Sequence, residues 1–184
     1  MIRLFNISFV LITILINNVT ADELIIGEEV TKNNIRIIFE GAPKDTVFNN
    51  DKEIQLLKEK DTDIHLEALI NWNDNIKIKG QSAGGFIPYL DVEATVINQR
   101  TNEFSNIKLI PHINLSDGYH YAQNIRLPGS NNDLYTVEFN VKESMRGMTY
   151  HMDWKEKYFI PLIGNITFSY QNINFKEMSE TLRR

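Results

Sequence analysis

The segment Asp63-Ile64-His65-Leu66-Glu67-Ala68-Leu69-Ile70 begins as a clean alternation of polar and apolar side chains. Successive residues of an extended chain face opposite ways, so Ile64, Leu66, Ala68 and Ile70 share one face and Asp63, His65 and Glu67 the other. A carboxylate, an imidazole and a second carboxylate at spacing two come within reach of one point above a sheet. Imidazole nitrogen and carboxylate oxygen both donate to transition metals, so the chemistry this row offers is metal ligation. On this strand alone, a solvated outer face is the competing reading.

The chain has three further histidines. His112 and His120 bracket Pro111-His112-Ile113-Asn114-Leu115-Ser116-Asp117-Gly118-Tyr119-His120, which reads as a loop able to fold both rings toward each other. His151 lies in Met145-Arg146-Gly147-Met148-Thr149-Tyr150-His151-Met152, a stretch with turn signals that holds three of the five methionines. A thioether adds a soft donor suited to copper, and Met145, Met148 and Met152 are candidates to supply it. No histidine pair has zinc-finger or HExxH spacing. Cysteine is absent, so any metal must be held by nitrogen, oxygen or thioether. The candidate ligands are His65, His112, His120, His151 and Glu67. Asp63, Glu67 and Asp117 are candidate acceptors for imidazole N–H groups, although Asp117-Gly118 is turn chemistry first.

The elements that must position these residues read as strands. Runs of about 6 to 12 residues rich in Ile, Val, Thr, Phe and Tyr alternate with Asn, Asp, Gly and Lys clusters. Strands are expected over Glu23–Val30, Asn34–Glu40, Asp63–Trp72, Phe86–Asn98, Ser105–Ile113, Tyr121–Leu127, Leu134–Val141 and Ile166–Phe175. Only Ile54–Lys60 looks helical. The reading is an all-β chain, most economically an immunoglobulin-like β-sandwich whose strand order the sequence does not fix.

Met1 and Arg3 followed by the apolar run Phe9–Ile16 and by Val19-Thr20-Ala21 have the form of a signal peptide, with cleavage expected after Ala21. Residues 22–184 then make one domain of about 163 residues, a size that carries its own core. Removing residues 1–21 removes Arg3 alone among charged residues, leaving 18 Lys and Arg against 24 Asp and Glu, a net charge of −6. An acidic chain of this kind is no partner for nucleic acid. Nothing resembles a nucleophile elbow or a paired-carboxylate hydrolase site, so the reading is not an enzyme. Asn114-Leu115-Ser116 and Asn165-Ile166-Thr167 fit a glycosylation pattern and are given no functional weight.

Three segments in order, Asp63-Ile64-His65-Leu66-Glu67-Ala68, Gly85-Phe86-Ile87-Pro88-Tyr89-Leu90 and Asp117-Gly118-Tyr119-His120-Tyr121-Ala122-Gln123-Asn124-Ile125, resemble the successive signatures of the periplasmic copper-binding iron-uptake protein family. The resemblance runs from about Asp22 to about Phe175. It implies an immunoglobulin-like sandwich, a homodimer, and a site of three histidines and a methionine with a glutamate nearby. By motif, His65 and Glu67 take the places of the first histidine and its acid, His120 that of the histidine after the Asp-Gly turn, and His151 that of the late histidine. Where the family carries Met in a Met-Pro-Met-like segment, this chain reads Ile110-Pro111-His112, and the loop that follows is longer by one residue. Four nitrogens in place of three and a sulfur suit Cu(II), Zn(II) or Ni(II) better than Cu(I).

The function the resemblance implies is a periplasmic protein that binds copper or a similar ion and assists iron uptake beside an inner-membrane iron permease. Iron would be its cargo, with Glu67 as an oxygen ligand. Two alternatives stand beside it: copper or zinc storage or resistance without an iron role, and a β-sandwich interaction module.

Overall fold

Eight runs rich in β-branched and aromatic residues form antiparallel strands, because such side chains pack well on a pleated, half-buried surface. In the computed structural model, which describes residues 23–49, 54–144, 148–158 and 161–182, they are β1 Leu24–Val30, β2 Ile35–Pro43, β3 Ile64–Trp72, β4 Leu90–Asn98, β5 Phe104–Asn114, β6 Gly118–Ile125, β7 Tyr135–Glu143 and β8 Asn165–Ile173. Two short helices, α1 Met152–Lys157 and α2 Lys176–Glu180, follow β7 and β8. The expected signal peptide, residues 1–21, and Met145 lie outside the described residues. Among the described residues, no helix is long and apolar enough to cross a membrane.

The strands run in the order β1-β2-β3-β6-β5-β4-β7-β8. The eleven-residue strand β5 belongs to both halves: Phe104–Leu109 pairs with β4 and Ile110–Asn114 with β6. The fold is all-β and sandwich-like, with β1-β2-β3-β6 and the end of β5 forming one layer and the start of β5 with β4-β7-β8 the other. Between the layers, Phe39 of β2 stacks on Phe139 of β7 with ring centroids 3.9 Å apart. Ile64, Leu66, Ala68 and Ile70 of β3 are fully buried in this core, as their alternation predicts. Each fully buried Ile or Leu contributes about 1.5–3 kcal/mol.

Three local expectations differ. Phe86 does not open β4; it forms an isolated bridge to Asn71, and β4 starts at Leu90, after Pro88 has interrupted any ladder. Ile54–Lys60 is not a helix: it holds only the start of a single 3₁₀ turn, Glu59–Asp61, among exposed residues with no apolar face to bury. The segment Pro111–His120 is not a loop but a hairpin, in which only Leu115–Asp117 fall outside β5 and β6.

Candidate metal centre

The site lies on the face of the first layer turned away from the core, and strand register builds it. In β3 the residues between the core positions are His65 and Glu67. Asn124 of β6 sits opposite His65 and Ala122 opposite Glu67, while Glu40 of β2 flanks Glu67 on the other side. Two residues before Ala122 on the same face comes His120, and directly across from it His112 of β5. Glu67 therefore occupies the row between His65 and the His112–His120 pair, and the small side chain of Ala122 leaves that row open for a carboxylate.

The side chains close on that row. His65 Nε2 lies 3.8 Å from Glu67 Oε1 and His120 Nε2 lies 3.9 Å from Glu67 Oε2. The His65 and His112 ring centroids are 5.3 Å apart, and those of His112 and His120 are 6.0 Å apart. Glu67, His65 and His120 are all buried. Burial of ionisable groups is costly unless they are paired or coordinate a metal.

Each ring spends its other nitrogen on an oxygen. His65 Nδ1–H donates to Asn124 Oδ1 at 2.7 Å, His112 Nδ1–H to the Ile110 carbonyl at 3.0 Å and His120 Nδ1–H to the Gly118 carbonyl at 3.1 Å. This leaves the three Nε2 atoms as lone-pair donors, the form in which imidazole ligates. His112 Nε2 is buried without a hydrogen-bond partner among the described residues. A bound cation would satisfy a buried acceptor in that state, so the residues fit a transition metal. The acids expected to receive the ring N–H groups do not. Asp63 accepts from the Leu127 amide, and Asp117 accepts from Asn114 and Ser116 in the turn.

Glu67 also belongs to a second group. Its carboxylate oxygen and those of Glu23 and Asp117 lie within 4.8 Å of one another. Glu40 adds a fourth carboxyl to this edge, hydrogen-bonded to Glu23. Burial pushes the Glu40 carboxyl up to about 7, and the negative charges of Glu23 and Asp117 push the same way while Arg36 opposes them. Glu67 is thus common to a group of nitrogen donors and a group of oxygen donors. Glu23 and Glu40 escaped the sequence reading because they end or precede apolar runs and come together only through strand register.

His151 stands apart. It is exposed at the N-terminal end of α1, and the described residues include no contact between it and the other three histidines. Met152 is exposed and Met148 packs against the core.

The sequence pattern of the family described as Fe2+ transport protein matches residues 20–176. The chain belongs to the Fe2+ transport protein family. Among solved structures, this family member is similar to a copper-bound variant of FetP from uropathogenic Escherichia coli strain F11, at 28% identity and TM-score 0.64 over 82% of this chain and 90% of that one. A copper-bound variant of P19 from Campylobacter jejuni, at 23% identity, shares the fold with TM-score 0.68 over 82% of this chain and 95% of that one. The 34 kDa membrane antigen of Treponema pallidum (strain Nichols) is 30% identical over 82 residues, 45% of this chain. The match spans only 39% of the antigen's length.

Proposed function

We propose that this Fe2+ transport family protein works outside the cytoplasm as a carrier of two metals. One is a copper-like ion held by His65, His112 and His120; the other is iron, held as cargo at the adjoining carboxylates. The observation that carries this reading is the set of three imidazoles with Nδ1–H committed, of which His65 and His120 bring Nε2 to within 3.8 and 3.9 Å of Glu67 while His112 Nε2 is buried beside them. The copper bound to FetP, a relative at 28% identity, supports copper as the first ion. With His112 at the position where the family has methionine, the donor set favours Cu(II), Zn(II) or Ni(II) over Cu(I). Copper at the histidines would supply a one-electron partner to iron. Glu67, shared by both groups of donors, would link the two sites, and Glu23 and Asp117 would supply further hard oxygens suited to iron.

The rest of the proposal follows from the sequence. Residues 1–21 direct export to the periplasm, the mature domain is 22–184, and the partner that consumes the cargo is an inner-membrane iron permease. A homodimer is supported by apolar side chains exposed beside the site on the β5–β6 hairpin, namely Ile113, Leu115 and Tyr119. His151 is the fourth nitrogen in this scheme, contributed when the segment before α1 or a second copy of the chain brings it to the ion.

The test is a titration of metal-free protein with Cu(II), Zn(II), Fe(II) and Fe(III), with and without the first metal in place. Iron affinity raised by the first ion supports the two-metal reading. Tight copper or zinc binding with no effect on iron would favour storage instead, and absence of binding to the parent protein would remove both.

A further inference from the structure

His112 and His120 obtain their Nδ1–H acceptors from carbonyls two residues back in the same hairpin, Ile110 and Gly118. Those bonds come with the strands. His65 alone relies on a side chain, that of Asn124, which is buried on the neighbouring strand. The Asn124 amide is itself held from far away: Nδ2 donates to the carbonyl of Asp45 at 2.8 Å and to that of Leu57 at 3.2 Å. Two carbonyl acceptors demand the NH₂ end of the amide, so Oδ1 has to face His65. An oxygen facing Nδ1 demands a proton there, and the proton leaves Nε2 bare. The tautomer of His65, a ring that lies beside both Glu67 and His112, is therefore set by two backbone carbonyls that lie outside the sheet.

Resting on the reading of the histidines as a metal site, we propose that Asn124 is a positioning residue. It fixes His65 as an Nε2 donor and makes metal binding and the docking of the backbone at Asp45 and Leu57 mutually dependent. A cation on Nε2 draws electron density from the ring and strengthens the Nδ1–H···Oδ1 bond. A better-held Oδ1 fixes the amide, and the amide fixes the two carbonyls. Linkage makes the effect reciprocal: whatever loosens those carbonyls weakens the metal, and the metal protects them.

Two substitutions separate the parts. Asn124→Leu removes the acceptor and both donors at similar volume, whereas Asn124→Asp keeps an acceptor for His65 but presents a carboxylate to two carbonyls. Ring-nitrogen NMR of the metal-free protein should show the parent His65 protonated at Nδ1, the Leu variant as a tautomer mixture, and the Asp variant like the parent. Zn(II) titration should show affinity reduced about tenfold to a hundredfold in the Leu variant and largely kept in the Asp variant. Amide exchange around Asp45 and Leu57 should slow on adding Zn(II) in the parent and in neither variant. A parent-like tautomer and affinity in the Leu variant would overturn the proposal, as would metal-dependent protection that survives in the Asp variant. If the Leu variant does not fold, the Asp variant decides alone: tautomer kept with protection lost supports the proposal, and any other pattern sinks it. A parent that binds no Zn(II) would defeat the metal site itself, while the tautomer measurement still tests the hold of Asn124 on His65.

Discussion

His112 and His120 are direct partners across the β5–β6 ladder, with ring planes 31° from parallel. Both stand one row along the ladder from the row that holds Glu67. Replacing His65, His112 or His120 singly by Ala is expected to lower Cu(II) or Zn(II) affinity by more than about tenfold, or about 1.4 kcal/mol. The effects should fall short of additive in double variants, because the remaining ligands share one ion. Calorimetric titration checks this, with one ion per chain as the expected stoichiometry. Three Ala variants that bind like the parent would leave the cluster without a ligand role.

Glu67→Gln should separate the two metals. The three imidazoles remain, so the first ion should stay within about threefold of the parent affinity, less than one power of ten. Iron should be lost, since the carboxylate common to the two groups of oxygens and nitrogens becomes a neutral amide. Equal retention of iron would show that Glu23 and Asp117 need no help from Glu67.

Glu40 predicts a pH dependence of stability in the metal-free protein. Its folded-state pKa, raised to about 7, lies above its ordinary value, so the native state binds the proton more tightly than the unfolded chain does. Stability from this group is then full below the ordinary carboxylate range, falls as pH rises toward about 7, and is flat above it. Glu40→Gln should remove that slope and raise the melting temperature at alkaline pH more than at acid pH. Thermal melts across the range measure it, and identical profiles for parent and variant would contradict the assignment.

Phe39 and Phe139 are both fully buried and join the two layers. Phe39→Ala should cost about 3–5 kcal/mol. Denaturant unfolding gives the value, and a loss under about 1 kcal/mol would mean the layers are held elsewhere.

Protein recovered from its native envelope should begin at Asp22. N-terminal mass analysis settles this, and a chain that retains Met1 to Ala21 would overturn the export reading.

The strands were legible because each carries its own β-branched run, and the core face of β3 because alternation alone assigns it. His65 and Glu67 were legible for the same reason: spacing two puts them on one face whatever the neighbours are. His112 and His120 read as a pair able to approach each other but as loop residues, since Pro111 reads as the end of a strand. In the structure Pro111 sits just past the point where β5 changes partners and stands opposite Tyr121 in the β6 ladder. Asn124, Glu23 and Glu40 carried no signal, because an isolated polar residue gains meaning only from the strand beside it. Register is a relation between segments, and one sequence does not contain it.

The short connection Leu115–Asp117 decides how this protein can vary in length. A residue gained or lost inside β5 or β6 would turn either His112 or His120 toward the core, since each step along a strand swaps faces. A residue gained in the connection changes neither, because the ladder from Asn114 and Gly118 inward is untouched. Leu115 at its tip is fully exposed and would meet nothing new. Insertions and deletions in descendants of this sequence should therefore collect between Asn114 and Gly118, where the hairpin acts as a splice point that leaves the imidazole geometry intact and alters only the placing of Asp117.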